Sequence, residues 1–246
     1  MEEIKKEISS YWTGRSEDFA RLREEELNSE MAGLWLKELE KGLPEGEGLR
    51  ILDVGTGCGF FSVLLAKLGH QVTGIDLTPA MIEKAKQIAR ERGVEADFEV
   101  MDAEHPDFPE GTFDVIVSRN LTWTLPHPAE AYGEWLRVLK PGGVLLNFDG
   151  DYGKEEFTEE MESLSADHAH RRLSCGQLEE CDKIKDQLSI SAMRRPAWDV
   201  EVLKNLGCVD MNVDSEVYRR IYASEDSPFY NPTPIFRLQA RKAGER

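Results

Sequence analysis

Arg50-Ile51-Leu52-Asp53-Val54-Gly55-Thr56-Gly57-Cys58-Gly59-Phe60-Phe61 is the stretch that decides the fold. A short apolar strand, Ile51 to Val54, runs into glycines at 55, 57 and 59 and then into an apolar helical pattern. A second strand-like run, Gln71 to Ile75, ends in an acid, Asp76, 17 positions after Gly59. Strand, glycine turn, helix and a strand ending in an acid make one half of a nucleotide-binding sheet. The glycines let backbone approach a ligand where a Cβ would clash. An acid at the second strand tip can accept hydrogen bonds from both hydroxyls of a ribose.

The glycine spacing separates two cofactor classes. The dinucleotide fingerprint is G-x-G-x-x-G, with the pyrophosphate on the helix N-terminus. Here the glycines alternate, and Phe60 stands where the dinucleotide form needs its last glycine. Asp53, two residues before the first glycine, suits a cationic or amine-bearing ligand and repels a pyrophosphate. An NAD-dependent oxidoreductase is therefore disfavoured.

The pattern D-x-G-x-G-x-G resembles the first motif of the class I S-adenosylmethionine (SAM) methyltransferases. Three later stretches agree, in order. Phe98 to Glu104 reads as a third strand ending in Asp102-Ala103; Gly111 to Ser118 is a turn and a fourth strand. Trp135 to Leu146 is a helix end, a Pro141-Gly142-Gly143 turn and a fifth strand, and is similar to the same junction in the type 11, ubiquinone-biosynthesis-like branch. The resemblance covers roughly residues 48–150. It implies an α/β fold with a doubly wound, mostly parallel, Rossmann-like seven-stranded sheet, N-terminal helices and a helical insertion. It implies SAM as cofactor, with the glycine turn under the methionine part, Asp76 on the ribose, and Asp102 with the next amide beside the adenine. The cofactor-binding set it implies is Asp53, Gly55, Thr56, Gly57, Gly59, Asp76, Leu77, Met81, Asp102, Ala103, Arg119, Asn120, Tyr11, Trp12 and Arg15.

Size and charge narrow the partners. A chain of 246 residues is one sizeable domain, or one domain with a lid. A net charge of −17 argues against nucleic acid, whose phosphates need a basic surface, and against anionic membranes. The start, Met1-Glu2-Glu3-Ile4-Lys5-Lys6, lacks the apolar stretch of a secretory signal, and no run reaches the ~18 apolar residues of a membrane span. Four scattered cysteines, Cys58, Cys175, Cys181 and Cys208, fit a reduced, cytoplasmic compartment.

Four regions follow. Residues 1–47 form an N-terminal helical cap: Ile4, Ile8 and Tyr11-Trp12 suggest a short helix, Thr13-Gly14 breaks it, and Ser16 caps a second helix running to Leu39 and ending at Gly42 and Pro44. The long second helix reads as a cover for the sheet; Tyr11, Trp12 and Arg15 read as part of the site. Residues 48–150 are the SAM-binding core, with strands near 50–54, 71–76, 96–101, 113–118 and 143–149 and helices near 60–69, 79–92 and 128–139. Residues 151–195 are a helical lid insertion; 151–189 carries eleven acids, five bases and no proline, with helices around Phe157–His168 and Gln177–Leu188. Residues 196–246 complete the sheet with a helix to about Asn205 and strands at Cys208–Val213 and Thr233–Ala240. The cap and the insertion are expected to close over the cleft from opposite sides when ligand binds.

The expected activity is transfer of a methyl group from SAM to a small-molecule acceptor. Methyl transfer needs alignment and exclusion of water more than a fixed catalytic constellation. Candidates lie in the loop Ser118 to Pro128, at a strand's carboxyl end. Arg119 can pair with the SAM carboxylate. Asn120 and Trp123 can face the methyl and the acceptor, although Trp123 reads equally as a loop anchor. His127 is a titratable group beside that strand end, and His127, Trp123 and Tyr11 are the catalytic candidates. A non-catalytic SAM-binding regulator fits the same cofactor motifs. His168, His170, Cys175 and Cys181 lie close in sequence, but H-x-H and C-x5-C match no common zinc spacing, so no metal is expected.

Overall fold

The computed structural model describes residues 2–160, 164, 168–222, 229 and 232–244. At its centre β1 (Arg50–Val54), β2 (Gln71–Asp76), β3 (Asp97–Val100), β4 (Phe113–Arg119) and β5 (Leu139–Gly150) run parallel. β6 (Cys208–Asp214) and β7 (Ile235–Lys242) complete a seven-stranded sheet of order β3-β2-β1-β4-β5-β7-β6. β7 lies antiparallel between β5 and β6. The strand order reverses at β1 and β4, which places a crevice at their carboxyl ends.

Helices α1 (Glu2–Leu27) and α2 (Glu30–Glu40) precede the sheet. α3 (Phe60–Lys67) and α4 (Pro79–Glu91) link β1 to β2 and β2 to β3, and α5 (Pro128–Val138) links β4 to β5. α6 (Phe157–Glu160), α7 (Cys175–Gln187) and α8 (Ala197–Asn205) fall between β5 and β6; α9 (Val217–Ile221) falls between β6 and β7. Alternate side chains of each strand point to opposite faces. Ile51, Val115, Val117, Leu146 and Phe148 pack with α2, α3 and α4 in one cluster. Leu52, Val54, Ile116 and Leu145 pack with Tyr132, Trp135 and Leu203 of α5 and α8 in the other. Burial on both faces is why β1, β4 and β5 read as nearly unbroken apolar runs.

The N-terminal segment differs from its sequence reading. Thr13-Gly14 does not break the first helix, and Ser16 does not begin a second; α1 runs continuously to Leu27. The Thr13 hydroxyl donates to the Ser9 carbonyl and the Ser16 hydroxyl to the Thr13 carbonyl, so both are absorbed inside the helix. The buried row Ile8, Tyr11, Arg15, Leu22 and Leu27 outweighs the propensity of one glycine. The real break comes at Ser29, which caps α2 by accepting the Met31 amide. β5 starts at Leu139 rather than Gly143 and carries Pro141-Gly142-Gly143 within it. α9 has no counterpart in the sequence reading. The helix expected over 157–168 is α6 to Glu160; part of the remainder lies outside the described residues.

Continuity of α1 is testable at Gly14, around which a Cβ would meet no atom within 4 Å. Gly14→Ala should stabilise the protein by about 0.5–1 kcal/mol, because alanine loses less backbone entropy in a helix. A thermal melt should show a rise of roughly 2–4 °C. A fall would return the break to Thr13-Gly14.

Candidate active site

One cleft runs along the carboxyl ends of β1, β2, β3 and β4. Asp53, Gly55, Thr56, Gly57, Asp76, Leu77, Met81, Asp102, Ala103, Arg119, Asn120, Trp123, Tyr11, Trp12 and Arg15 all line it. Gly59 and His127 do not. Gly59 takes φ +80° at the start of α3, and a Cβ there would stand 3.2 Å from Ala85 and Phe98. It serves the close packing of α3 against α4 and β3. His127 precedes α5 and is turned to Glu104, with Nδ1 3.0 Å from Oε2 while its backbone amide donates to Oε1.

The glycine turn is tied to the strand tips. Asp76 Oδ2 accepts the Gly57 amide at 3.0 Å and Oδ1 accepts the Thr78 amide at 2.8 Å. Burial raises the Asp76 carboxyl, against those two bonds. Gly57 takes φ +53°, and a Cβ on it would stand 3.2 Å from the Phe19 ring of α1. Asp53 turns one oxygen inward: Oδ2 accepts the Thr56 and Ser62 hydroxyls, both at 2.7 Å, and the Ser62 amide at 3.1 Å. Burial pushes its carboxyl up to about 6 in spite of these donors. At the far end Asp102 accepts Lys5 Nζ of α1 at 2.7 Å, and Lys5 also contacts Glu104.

Arg119 has a partner that its sequence context does not announce. Its guanidinium pairs with Glu26 of α1 at 2.8 Å and lies 4.1 Å from the Trp35 ring centroid. Glu26 also takes Arg23 at 2.5 Å and the Trp35 indole N–H at 2.9 Å. Burial works against the Glu26 charge, but Arg119 and Arg23 hold its carboxyl below the usual range. One carboxylate thus serves two buried guanidiniums.

The remaining wall is aromatic. Trp123 stands 4.9 Å from Tyr152 and 5.6 Å from Phe157, centroid to centroid, and Trp12 5.3 Å from both Tyr11 and Phe19. Burial raises the Tyr11 phenol, which keeps it protonated at neutral pH. Tyr11 and Trp123 both border the cleft, the phenol protonated and the indole N–H donating to the Asn120 carbonyl at 3.1 Å. Lys5, Phe19, Arg23, Tyr152, Phe157, His168 and Cys181 also line the cleft, and sequence reasoning missed all seven as cofactor or catalytic residues. The signal for those on α1 is the unbroken helical spacing Ile8, Tyr11, Arg15, Phe19, Arg23, which an assumed break at Gly14 conceals.

Among the described residues, Asp102, Glu104 and His105 are the only acids and imidazole gathered closely enough to hold a metal, within 4.8 Å. The Lys5 ammonium already contacts both acids and offsets one of their two charges. His168, His170, Cys175 and Cys181 form no such group among the described residues; the side chain of His170 lies outside them.

The comparisons with known proteins fall on this same stretch. Residues 52–147 match the family model described as a methyltransferase domain. Residues 52–147 are a class I methyltransferase domain of the type 11 branch. The domain is 40% identical over 100 residues to a ubiquinone biosynthesis O-methyltransferase of Nitrosococcus oceani, covering 40% of this chain and 42% of that one. It is 42% identical over 103 residues to a 2-methyl-6-phytyl-1,4-hydroquinone methyltransferase of Synechocystis, covering 42% of this chain and 32% of that one. The chain thus spans less than half the length of these relatives. Among solved structures, a SAM-dependent methyltransferase from Aquifex aeolicus matches with a TM-score of 0.54 and 20% identity over 84% of this chain and 88% of its own. A [4+2]-cyclase matches with a TM-score of 0.56 and 22% identity over 86% and 80%. These two show the fold alone.

The cofactor of the domain is S-adenosylmethionine, and the donor set in the cleft fits it. Asp53, Asp76 and Asp102, one acid per tip of β1, β2 and β3, face a common space. Three carboxylates suit a ligand with two cationic centres and two ribose hydroxyls, and they reject a pyrophosphate. Among the described residues, no helix is long and apolar enough to cross a membrane.

The raised Asp53 carboxyl couples stability to pH. The folded group holds its proton to higher pH than the unfolded one, so its contribution is fully present below about pH 4 and is lost as pH rises through about 6. Asp53→Asn keeps an oxygen acceptor for Thr56 and Ser62 and removes the titration. Between pH 4 and 6 the variant's melting temperature should fall less than that of the wild type, whose Asp53 contribution drops by on the order of 3 kcal/mol at most, at ~1.4 kcal/mol for each pH unit crossed. Parallel melting profiles for the two proteins would refute a buried, proton-holding Asp53.

Proposed function

We propose that this chain is a SAM-dependent methyltransferase acting on a small, ring-bearing acceptor. The observation that carries the reading is the continuity of the three acid tips and the glycine turn with a pocket walled by Trp12, Trp123, Tyr152 and Phe157. Similarity to a ubiquinone biosynthesis O-methyltransferase and a 2-methyl-6-phytyl-1,4-hydroquinone methyltransferase supports a quinol-like acceptor. In this reading Asp76 accepts the ribose hydroxyls and Asp102 and Ala103 flank the adenine. Gly55 and Gly57 pass under the amino-acid end of the cofactor, and Asn120 and Trp123 border the reacting carbon. SAM supplies an electrophilic methyl group on a sulfonium.

The protein's own part is positioning and drying. Rings of Tyr11, Trp12, Trp123 and Tyr152 fix the plane of an aromatic acceptor and exclude water, and the orientation they impose accounts for most of the rate such a site can supply. We read residues 1–47 as a cap and 151–195 as a helical insertion over the acceptor, within a doubly wound sheet. The four free cysteines fit a reduced, cytoplasmic setting.

Calorimetric titration with S-adenosylhomocysteine tests the reading. The wild type should bind, and Asp76→Ala should bind at least tenfold more weakly, since a hydrogen bond to a carboxylate contributes ~1.5–3 kcal/mol. Methyl transfer from labelled SAM to members of a phenol and quinol panel should then be detectable. Binding without transfer to any acceptor would favour a SAM-binding regulator, and unchanged affinity in Asp76→Ala would remove Asp76 from the ribose.

A further inference from the structure

The charges that line the cleft are unequally distributed. Among the described residues its carboxylates are Asp53, Asp76 and Asp102, all at the tips of β1, β2 and β3. Its permanent cations are Lys5, Arg15, Arg23 and Arg119. Lys5 has two acids, Asp102 and Glu104. Arg23 and Arg119 share one, Glu26, so that group carries one positive charge in excess.

Arg15 has none. It is 7% exposed, and no described carboxylate lies within 4.0 Å of it. Its Nη1 donates to the Tyr11 hydroxyl at 2.7 Å, and its Nε is buried without a hydrogen-bond partner. The guanidinium rests 5.6 Å from the Tyr11 ring centroid and 5.8 Å from that of Trp12. A buried charge without a counter-charge is costly, and native proteins seldom keep one unless something else completes it.

Two of these guanidiniums share one acid and Arg15 has none, whereas the cofactor brings a single carboxylate. The Glu26 group borders the glycine turn: Arg23 lies 4.8 Å from the ring centroid of Phe19, the ring nearest to Gly57. On that ground the cofactor's carboxylate is assigned to Arg23 and Arg119 in the mode proposed here. Arg15 lines the same cleft from α1, against the Tyr11 and Trp12 rings and close enough to Cys181 of α7 to act on its thiol. We propose that the methyl acceptor carries an anionic group, a carboxylate or a phosphate, and that Arg15 receives it while the aromatic walls hold the apolar body. The proposal rests on the methyltransferase reading above and takes Arg15 out of the cofactor set. The fork of a guanidinium matches either anion with two parallel hydrogen bonds, and its Nε and one Nη are the pair used.

The test saturates the full chain with S-adenosylhomocysteine and then titrates three probes: 3-phenylpropionate, phenyl phosphate and the uncharged 3-phenylpropionamide. In the wild type at least one anion should bind roughly tenfold or more tightly than the amide, as a charge-assisted pair gives. Arg15→Met should abolish that preference while leaving affinity for S-adenosylhomocysteine within about threefold. Arg15→Lys, which keeps the charge and loses the fork, should retain part of it. The ligand-free melting temperature of Arg15→Met should equal or exceed the wild type's, because an unpaired buried charge has been removed. Equal binding of anions and amide by the wild type would overturn the proposal. So would a tenfold loss of S-adenosylhomocysteine affinity in Arg15→Met, which would assign Arg15 to the cofactor's carboxylate. A fall of more than about 5 °C in its melting temperature would mark a structural arginine and also overturn it. If the wild type binds no S-adenosylhomocysteine at all, the methyltransferase reading fails first, an outcome distinct from the other three.

Discussion

Glu26 is the constraint on which the cleft depends. Its carboxylate is fully buried, yet it joins three separate segments: Arg23 on its own helix, the Trp35 indole on α2 and Arg119 at the tip of β4. A carboxylate in that position is tolerated only because every face of it is met by a donor. The Trp35 ring is in turn surrounded by Phe60, Phe61, Phe148 and Tyr222 at centroid separations of 5.3–6.5 Å. The polar contact therefore sets the register of α1 on the sheet, and the aromatic cluster supplies the burial. Removing Glu26 alone would leave two guanidiniums facing each other in a dry interior, at a cost of about 3–5 kcal/mol.

A second buried network holds the opposite wall. Arg195 pairs with Asp149 of β5 at 3.0 Å and with Asp199 of α8 at 2.6 Å. Asp149 also accepts the Trp123 amide at 3.2 Å, and Asn147 donates to the Thr122 hydroxyl at 2.9 Å and to Tyr132 at 2.8 Å. The turn that presents Trp123 to the cleft is thus fastened from below by β5, at two points. Both networks use charge where the chain leaves regular structure and the ladder hydrogen bonds of the sheet are no longer available.

The sheet is legible in the sequence because its information is local. Glycine spacing, apolar runs and acids at strand ends are each written within a few residues, and the strands of the central sheet fall within a few positions of where those signals put them. The site splits along the same line. Asp53, Asp76, Asp102 and the glycine turn stand on strand tips whose order follows from the alternation of strand and helix. Glu26, His168 and Cys181 reach their places through long-range packing, and no short window of sequence contains both partners of the contacts involved. Gly59 and His127 stand off the cleft for the complementary reason: each sits near a cleft-lining residue in sequence, but backbone direction turns one toward α4 and the other toward Glu104. Gly14 misleads because propensity is a weak term, and a row of buried side chains on both sides of it decides the helix.

α1 is clamped at both of its ends, and the two clamps differ in kind. The Glu26 end is dry, so dissolved ions barely weaken it. The Lys5 end, with its ammonium and Asp102 about a fifth to a quarter exposed, is open to screening. Added salt therefore weakens the Lys5–Asp102 contact more than the buried Glu26 cluster, so the grip on the first turns of α1 depends on ionic strength more than the grip on its last turn.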